Sequence, residues 1–350
     1  MNDRAIGLLE QYNIEVLHTR KGRGAILCDT VQGCLIFKEY AGNCDKIKLQ
    51  DRVLKAVDSK RNIAVEQIVP TADGALFVQD NDGTKYILKT WQDGRECSIF
   101  DKEECLEAVR LLARLHGSMT LPSDTEGLPP LFSPEKEYEK HNRELKKVRK
   151  YLLQRSQKQH FEISLLNSFD YFLEQALSVT NEWAEYCTVK NKRDEEAAVC
   201  GDPVTFCHGD YQYHNIIKSD TGWFLINFEK CICDSPIRDL YLLMRKLLEK
   251  SNWSVSLGME LLEAYDKVKS ITAINRIDLY YRLAYPEKFW KIVNFYFNSG
   301  KAWIPGRNQE KLEKLIAQEK EKEHFLNEVF RDVSALKGQR RTSDAKEKRQ

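Results

Sequence analysis

The sequence predicts an α+β protein: a small antiparallel sheet with one helix up to about residue 91, then a largely helical remainder interrupted by one short hairpin. Three observations carry this. Alternating apolar and polar residues, broken by glycine turns, fill much of 14–40 and 74–89. Helical spacing dominates from Lys102 onward. A compact strand-turn-strand pattern stands at 215–228.

Taken in order, Ile14–His18 alternates, a turn follows over Arg20-Lys21-Gly22-Arg23-Gly24, and Ala25–Cys28 and Cys34–Lys38 continue the sheet. Ile47, Val53, Leu54 and Val57 give residues 46–60 a helical face. Strands are expected at Gly74–Val78 and Lys85–Lys89, joined by an Asp82-Gly83 turn suited to a hairpin. Leu106, Val109, Leu112, Ala113 and His116 mark one face of a helix that Gly117 can end. After Leu128-Pro129-Pro130 come a charged helix over Glu135–Lys158, an amphipathic helix over 162–186 and a charged loop at Lys190–Glu196. Asp234-Ser235-Pro236 is a good helix start, with Asp or Ser as N-cap and Pro in the first turn, and opens a helix to Lys250. Phe289, Ile292, Val293 and Tyr296 form a core-facing stripe, and 309–330 reads as a final charged helix. The expected division is 1–91, 92–336 and a basic, disordered tail, 337–350.

Composition excludes several classes. At 350 residues, 42% hydrophobic and 31% charged, the chain reads as soluble and globular, with room for about two domains or one bilobal enzyme. A net charge of +1 provides no field to recruit nucleic acid or an anionic membrane. No apolar run approaches a membrane span, and the first residues lack the apolar segment of a secretion signal, so a cytoplasmic chain is expected. The ten cysteines include no Cys-x-x-Cys pair and no accompanying His cluster, which argues against zinc and for reduced, packed thiols. Cys231 and Cys233 follow the hairpin directly; thiols exposed there would be open to cross-linking or oxidation.

The chemistry is concentrated in His208-Gly209-Asp210-Tyr211-Gln212-Tyr213-His214-Asn215 and Leu225-Ile226-Asn227-Phe228-Glu229. The first has the Asp-x4-Asn spacing of a kinase catalytic loop. There the Asp accepts the proton of the attacking hydroxyl, and the Asn holds a metal ion on the nucleotide phosphates. The second lies where a kinase presents another metal-binding Asp, and here the residue is Asn227. Folding the hairpin returns Asn215 and Asn227 to the same end, with Asp210 facing the same space. An amide oxygen can bind Mg²⁺ but brings no charge. At an effective dielectric near 20, a unit charge pair about 4 Å apart is worth roughly 4 kcal/mol before desolvation. Losing about 2 kcal/mol of that weakens metal binding more than tenfold. Glu229, two residues on and sharing a strand face with Asn227, is a candidate to substitute in part. A damaged site and a rearranged working site both fit these residues.

Asp239, in the first turn of the helix after the hairpin, reads either as a brace beneath the catalytic-type loop or as a simple partner of the helix dipole. Lys38 ends an apolar strand within reach of phosphates, and Gly22 and Gly24 offer a weak phosphate-covering loop or a plain hairpin turn. A kinase also needs a carboxylate on the helix after the lysine strand; Gln50, Asp51 and Asp58 are the residues available there, with Asp51 the first choice.

His208-Gly209-Asp210 with Asn215, then Ile226-Asn227-Phe228-Glu229 and Asp234-x-Pro236-x-x-Asp239-Leu240, resemble the aminoglycoside phosphotransferase and choline kinase superfamily. Within it the chain is most similar to CotS-type spore-coat proteins, through Asp239-Leu240-Tyr241 with Arg245-Lys246, Tyr285–Trp290 and Asn298–Pro305. The superfamily usually has Asp where this chain has Asn227. The resemblance, running from about residue 5 to 330, implies a bilobal protein-kinase-like fold using ATP and Mg²⁺. It assigns Asp210 as base, Asn215 as metal ligand, Lys38 as phosphate lysine and the backbone near Lys89–Trp91 as adenine hinge. It further implies synthesis in the mother-cell cytoplasm, deposition in the spore coat, other coat proteins as partners, and an acceptor that the sequence does not identify. Asn227 leaves two functions open: a coat protein with weak or absent catalysis, or an active phosphotransferase.

Overall fold

The computed structural model describes residues 3–22, 24–60, 63–123, 125–130, 134–197, 204–298 and 305–333. The expected basic tail, and part of the Asn298–Pro305 string, lie outside them. No helix among the described residues is long and apolar enough to cross a membrane.

The chain begins with a 3-10 turn, Asp3–Gln11, that the alternation pattern did not signal. Then come β1 (Val16–Gly22), β2 (Ala25–Thr30), β3 (Gly33–Glu39), α1 (Cys44–Ser59), β4 (Ala64–Val65), β5 (Ile68–Val69), β6 (Val78–Gln79), β7 (Lys85–Thr90) and β8 (Arg95–Glu96). The main sheet runs β1-β2-β3-β7-β5, with β6 also on β7, and all its pairings are antiparallel. Its core sets Phe37 against Tyr86 in a stacked pair at 5.4 Å and against Tyr12 edge-on at 6.2 Å, with Leu9 and Leu88 beside them. The strand expected over Gly74–Val78 shrinks to Val78–Gln79. The Thr71 hydroxyl accepts the Ala75 N–H at 2.8 Å, and such side-chain bonds offer the backbone an alternative to a ladder. Helix α1 starts where Asn43 accepts the Lys46 N–H at 2.8 Å.

Next come α2 (Lys102–Ser118), β9 (Thr120–Leu121), α3 (Pro134–Gln154), α4 (His160–Ala197), β10 (Val204–Cys207), β11 (Ile216–Ser219), β12 (Gly222–Leu225) and β13 (Ile232–Cys233). The helices α5 (Ile237–Lys250), α6 (Val255–Asp266), α7 (Ala273–Ala284), α8 (Glu287–Asn298), α9 (Pro305–Ala317) and α10 (Glu319–Val329) complete the chain. Asp101 caps α2 through the N–H groups of Glu103 and Glu104, whose carboxylates suit the helix N-terminus. At the start of α5 it is Ser235 whose hydroxyl accepts the Ile237 N–H, at 3.4 Å. Two expectations are corrected. Residues 190–196 are helix rather than loop, since their Lys, Arg and Glu are strong helix formers. The single helix expected over 309–330 is two, broken at Gln318, whose side chain donates to the Glu249 carbonyl at 3.0 Å.

Two compact units result. The first comprises Met1–Leu131, Gly201–Leu243 and Ala264–Ser270; the second comprises Phe132–Cys200, Met244–Glu263 and Ile271–Gln350. The hairpin β11–β12 belongs to the first because it is sewn into it. β11 pairs with β8, and β12 runs parallel to β4, giving the order β4-β12-β11-β8. Gly94 permits this approach, since a Cβ there would meet the Lys218 carbonyl oxygen at 2.5 Å. The second unit is a helical layer with an aromatic core. Phe289 lies 4.5 Å from Phe172 and 5.2 Å from Phe169, and Tyr138 stacks on Tyr285 at 3.8 Å. Phe289, Ile292 and Val293 are buried as their stripe requires, while Tyr296 is half-buried.

Replacing Phe37 by Ala should cost about 3–5 kcal/mol, the range for emptying a packed aromatic site. Urea unfolding followed by circular dichroism would read the loss.

Candidate functional site

Strand β10 delivers His208 to the start of the loop. Gly209 follows in the left-handed region, φ +79°, and a Cβ there would fall 2.0 Å from the Lys230 carbonyl oxygen, so no other residue fits. The His208 Nε2–H donates to the Ile226 carbonyl at 2.9 Å, leaving Nδ1 to accept the Asp210 N–H at 3.2 Å. Beneath the loop lies Asp239, fully buried, accepting the N–H groups of His208 at 2.6 Å and Gly209 at 2.9 Å. His116 Nε2 approaches Asp239 at 3.3 Å, and its Nδ1 meets the Tyr265 hydroxyl at 2.8 Å. Burial pushes the His116 imidazole below its ordinary value, offset only in part by Asp239, so it is neutral at pH 7. Tyr211, also fully buried, donates to the Ala108 carbonyl at 2.8 Å. The loop is thus held from below by one carboxylate and from the side by its own histidine.

Above this floor runs a directional chain of hydrogen bonds. Lys38 Nζ donates to Asn227 Oδ1 at 3.1 Å, Asn227 Nδ2 donates to Asn215 Oδ1 at 2.8 Å, and Asn215 Nδ2 donates to the Asp210 carbonyl at 2.8 Å. The amide orientations are forced. Lys38 has only donors, so an oxygen must face it, and the Asp210 carbonyl is only an acceptor, so an N–H must face it. Asn227 adopts φ 67°, ψ 53°, a left-handed conformation that Asn tolerates better than most residues. Asp210 presents its carboxylate to Lys230 Nζ at 2.9 Å and to the Gln212 amide. Burial pushes the Asp210 carboxyl up, but Lys230 and Gln212 outweigh it and hold it below its ordinary value.

Beside the chain lies a charge network absent from the sequence reading. Lys89 and Glu66 are each 1% exposed and paired at 2.7 Å. Glu229 Oε1 takes both Lys89 Nζ, at 2.7 Å, and Lys38 Nζ, at 2.9 Å. Glu66 also accepts the Phe228 N–H at 2.9 Å, so the network fixes the turn carrying Glu229. Burial acts against ionising Glu229, yet the two ammonium groups bring its carboxyl down to about 2. Burial acts against Lys89 too, and its two carboxylates more than compensate, raising it. The carboxylate on Lys38 is therefore Glu229 and not Asp51, which pairs with Lys55 at 2.7 Å one turn along α1. Glu229 lies in a 3-10 turn, not on a strand face with Asn227, and its bonded oxygen is shared by two lysines.

A cavity of about 440 Å³ opens on this arrangement, lined among others by Lys38, Lys46, Asp210, Asn227, Glu229 and Lys230. Gly22 and Gly24 are not among its walls; they form the β1–β2 turn, with Gly22 paired to Ala25. Trp91 packs against Ile217, Phe224 and Ile226, and the N–H groups of Thr90 and Trp91 are already donated to the Gln67 and Cys34 carbonyls, each at 2.9 Å. Cys231 and Cys233 are both buried, so the exposure that cross-linking would need is not present at either.

The donor set does not fit Mg²⁺. Asn215 and Asn227 offer only neutral amide oxygens, each already accepting an N–H, and Asp210, Glu229 and Glu66 are each matched by an ammonium group. What the site can do with its own residues is present Asp210 to a hydroxyl and three lysines to an anion.

Residues 7–329 match the family described as spore coat putative kinase YutH. Spore coat protein S of Bacillus subtilis (strain 168) is 28% identical over 137 residues, 38% of this chain and 39% of that protein, so the match spans under two fifths of that relative's length. Among solved structures, an aminoglycoside phosphotransferase from Alicyclobacillus acidocaldarius subsp. acidocaldarius aligns with 96% of this chain and 97% of its own, at a TM-score of 0.79 and 16% identity. The amicoumacin kinase hAmiN, solved with AMP-PNP, Ca²⁺ and Ami, aligns with 92% of this chain and 94% of its own, at a TM-score of 0.56 and 11% identity. These likenesses establish a kinase-like fold: an N-terminal antiparallel sheet followed by a mostly helical part, as the sequence resemblance implied.

The charge network has a pH signature. Glu229 is lowered from 4.5 to about 2 on folding, so its contribution is complete above about pH 4.5 and is lost as pH falls through about 2. Replacing Glu229 by Gln should flatten that acid limb, as measured by urea midpoints between those limits. An unchanged slope would remove Glu229 as a source of acid sensitivity.

Proposed function

This chain belongs to the YutH family of spore-coat putative kinases, and from that premise we propose that it is a kinase-fold coat protein with a structural or assembly role and weak or absent phosphotransfer. It is made in the mother-cell cytoplasm, is deposited in the coat, and has other coat proteins as its partners. The observation that carries this reading is Asn227. A neutral amide stands at the second metal-ligand position and is hydrogen-bonded into the loop, and the carboxylates of Asp210 and Glu229 are each paired with an ammonium group. On this reading the cavity beside Lys38 holds a nucleotide as a structural ligand, as the AMP-PNP bound by the kinase hAmiN suggests by analogy.

A second reading, an ATP-dependent phosphotransferase acting on a small hydroxylated molecule or a coat component, is favoured by Asp210. Its side chain is 23% exposed on the cavity, and the partner that covers it, Lys230, is itself 66% exposed and free to swing away. Asp210 would then accept the proton of the acceptor hydroxyl.

The two readings separate on one substitution. Spores carrying Asp210→Asn should assemble a coat indistinguishable from wild type by electron microscopy and protein profile. Loss of assembly by a variant that still folds would sink the structural reading and favour the enzymatic one.

A further inference from the structure

We propose that this site binds a nucleoside triphosphate without a divalent cation, the Asn227 amide N–H itself satisfying Asn215 Oδ1. The inference deepens the reading above and rests on its nucleotide-holding cavity.

The geometry turns on the 2.8 Å contact between position 227 and Asn215 Oδ1. With Asp at 227 in the same rotamer, two acceptor oxygens would face one another at that distance. Two acceptors so close are stable only with a cation or a proton between them. Asn227 supplies the donor itself, and Lys38 fixes its orientation from the other side. The contact between loop and hairpin is thereby closed without metal.

Charge points the same way. Asp210, Glu229 and Glu66 are offset by Lys230, Lys38 and Lys89, and Lys46 stands on the cavity wall as well. Those three leave a divalent cation no uncompensated carboxylate, while the exposed Glu39, a further lining carboxylate, stands outside these pairs. A polyphosphate finds three ammonium groups on one cavity: Lys38, Lys46 and Lys230. Lys46 is exposed and Lys230 is 66% exposed, so both can turn to the ligand at little cost in packing. Lys38, by contrast, is held by Asn227 and Glu229 and supplies the fixed point.

The test is calorimetric titration of the full chain with ATP, in excess EDTA and in excess Mg²⁺. The wild-type Kd in EDTA should lie within about threefold of that in Mg²⁺. Asn227→Asp should bind about tenfold or more weakly in EDTA, equivalent to about 1.4 kcal/mol, and recover with Mg²⁺. Wild-type binding that appears only with Mg²⁺ overturns this inference and leaves the nucleotide-holding reading standing. An Asn227→Asp variant indifferent to EDTA also overturns it. Absence of ATP binding in both buffers overturns the inference and the nucleotide-holding reading together. The wild-type arms decide the matter even if the variant does not fold.

Discussion

The ammonium group of Lys89 is the constraint around which the rest of this site is arranged. A side chain 1% exposed cannot carry charge alone, since an unpaired buried ion costs several kcal/mol. It is satisfied by Glu66, on the segment between β4 and β5, and by Glu229, on the turn after β12. Those carboxylates are in turn committed elsewhere: Glu66 to the Phe228 N–H, and Glu229 to Lys38. One buried cation thereby links the sheet to the hairpin turn and places Lys38 opposite Asn227. Removing either carboxylate would leave Lys89 undercompensated, which is why such networks tolerate loss of one member poorly.

Seen with this network, Asn227 does not look like simple decay of a metal site. Its backbone occupies the left-handed region, its oxygen answers Lys38, and its N–H answers Asn215. All of its strong bonding groups that face the loop are used. A residue accidentally lost from a catalytic centre need not fit its new surroundings; this one does. The floor beneath is equally complete, with Asp239 satisfying two backbone N–H groups and neutral His116 satisfying both Asp239 and Tyr265.

Much of this was legible in the sequence, for identifiable reasons. Strand periodicity and the Asp82-Gly83 turn located the sheet because local patterns determine them. The Asp-x4-Asn spacing and the hairpin brought Asp210, Asn215 and Asn227 together because their neighbours in sequence are their neighbours in space. The ion pairing of Lys89, a residue read only for its backbone, and the role of Glu66 are not legible because the partners are remote in sequence. Their only local signal was a charged residue next to apolar ones, in Tyr86-Ile87-Leu88-Lys89 and Val65-Glu66-Gln67-Ile68. Asp51 was preferred on the expectation that the carboxylate sits on the helix, whereas the helix uses Asp51 for a local pair with Lys55. The break at Gln318 and the helix through 190–196 turn on tertiary bonding and intrinsic propensity, which charge patterning does not distinguish.

The pairing of β12 with β4 and of β11 with β8 has a consequence for synthesis. Residues 64–65 and 95–96 wait for residues 216–225 before their edges are covered. A chain emerging from the ribosome therefore exposes two unpaired strand edges, and a half-satisfied Glu66–Lys89 pair, through the whole interval in which α2, α3 and α4 are made. Contacts of such long sequence separation slow folding. The short strands β4 and β8, rather than the self-paired main sheet, are accordingly the segments with most need of a chaperone to keep them from pairing with a neighbour.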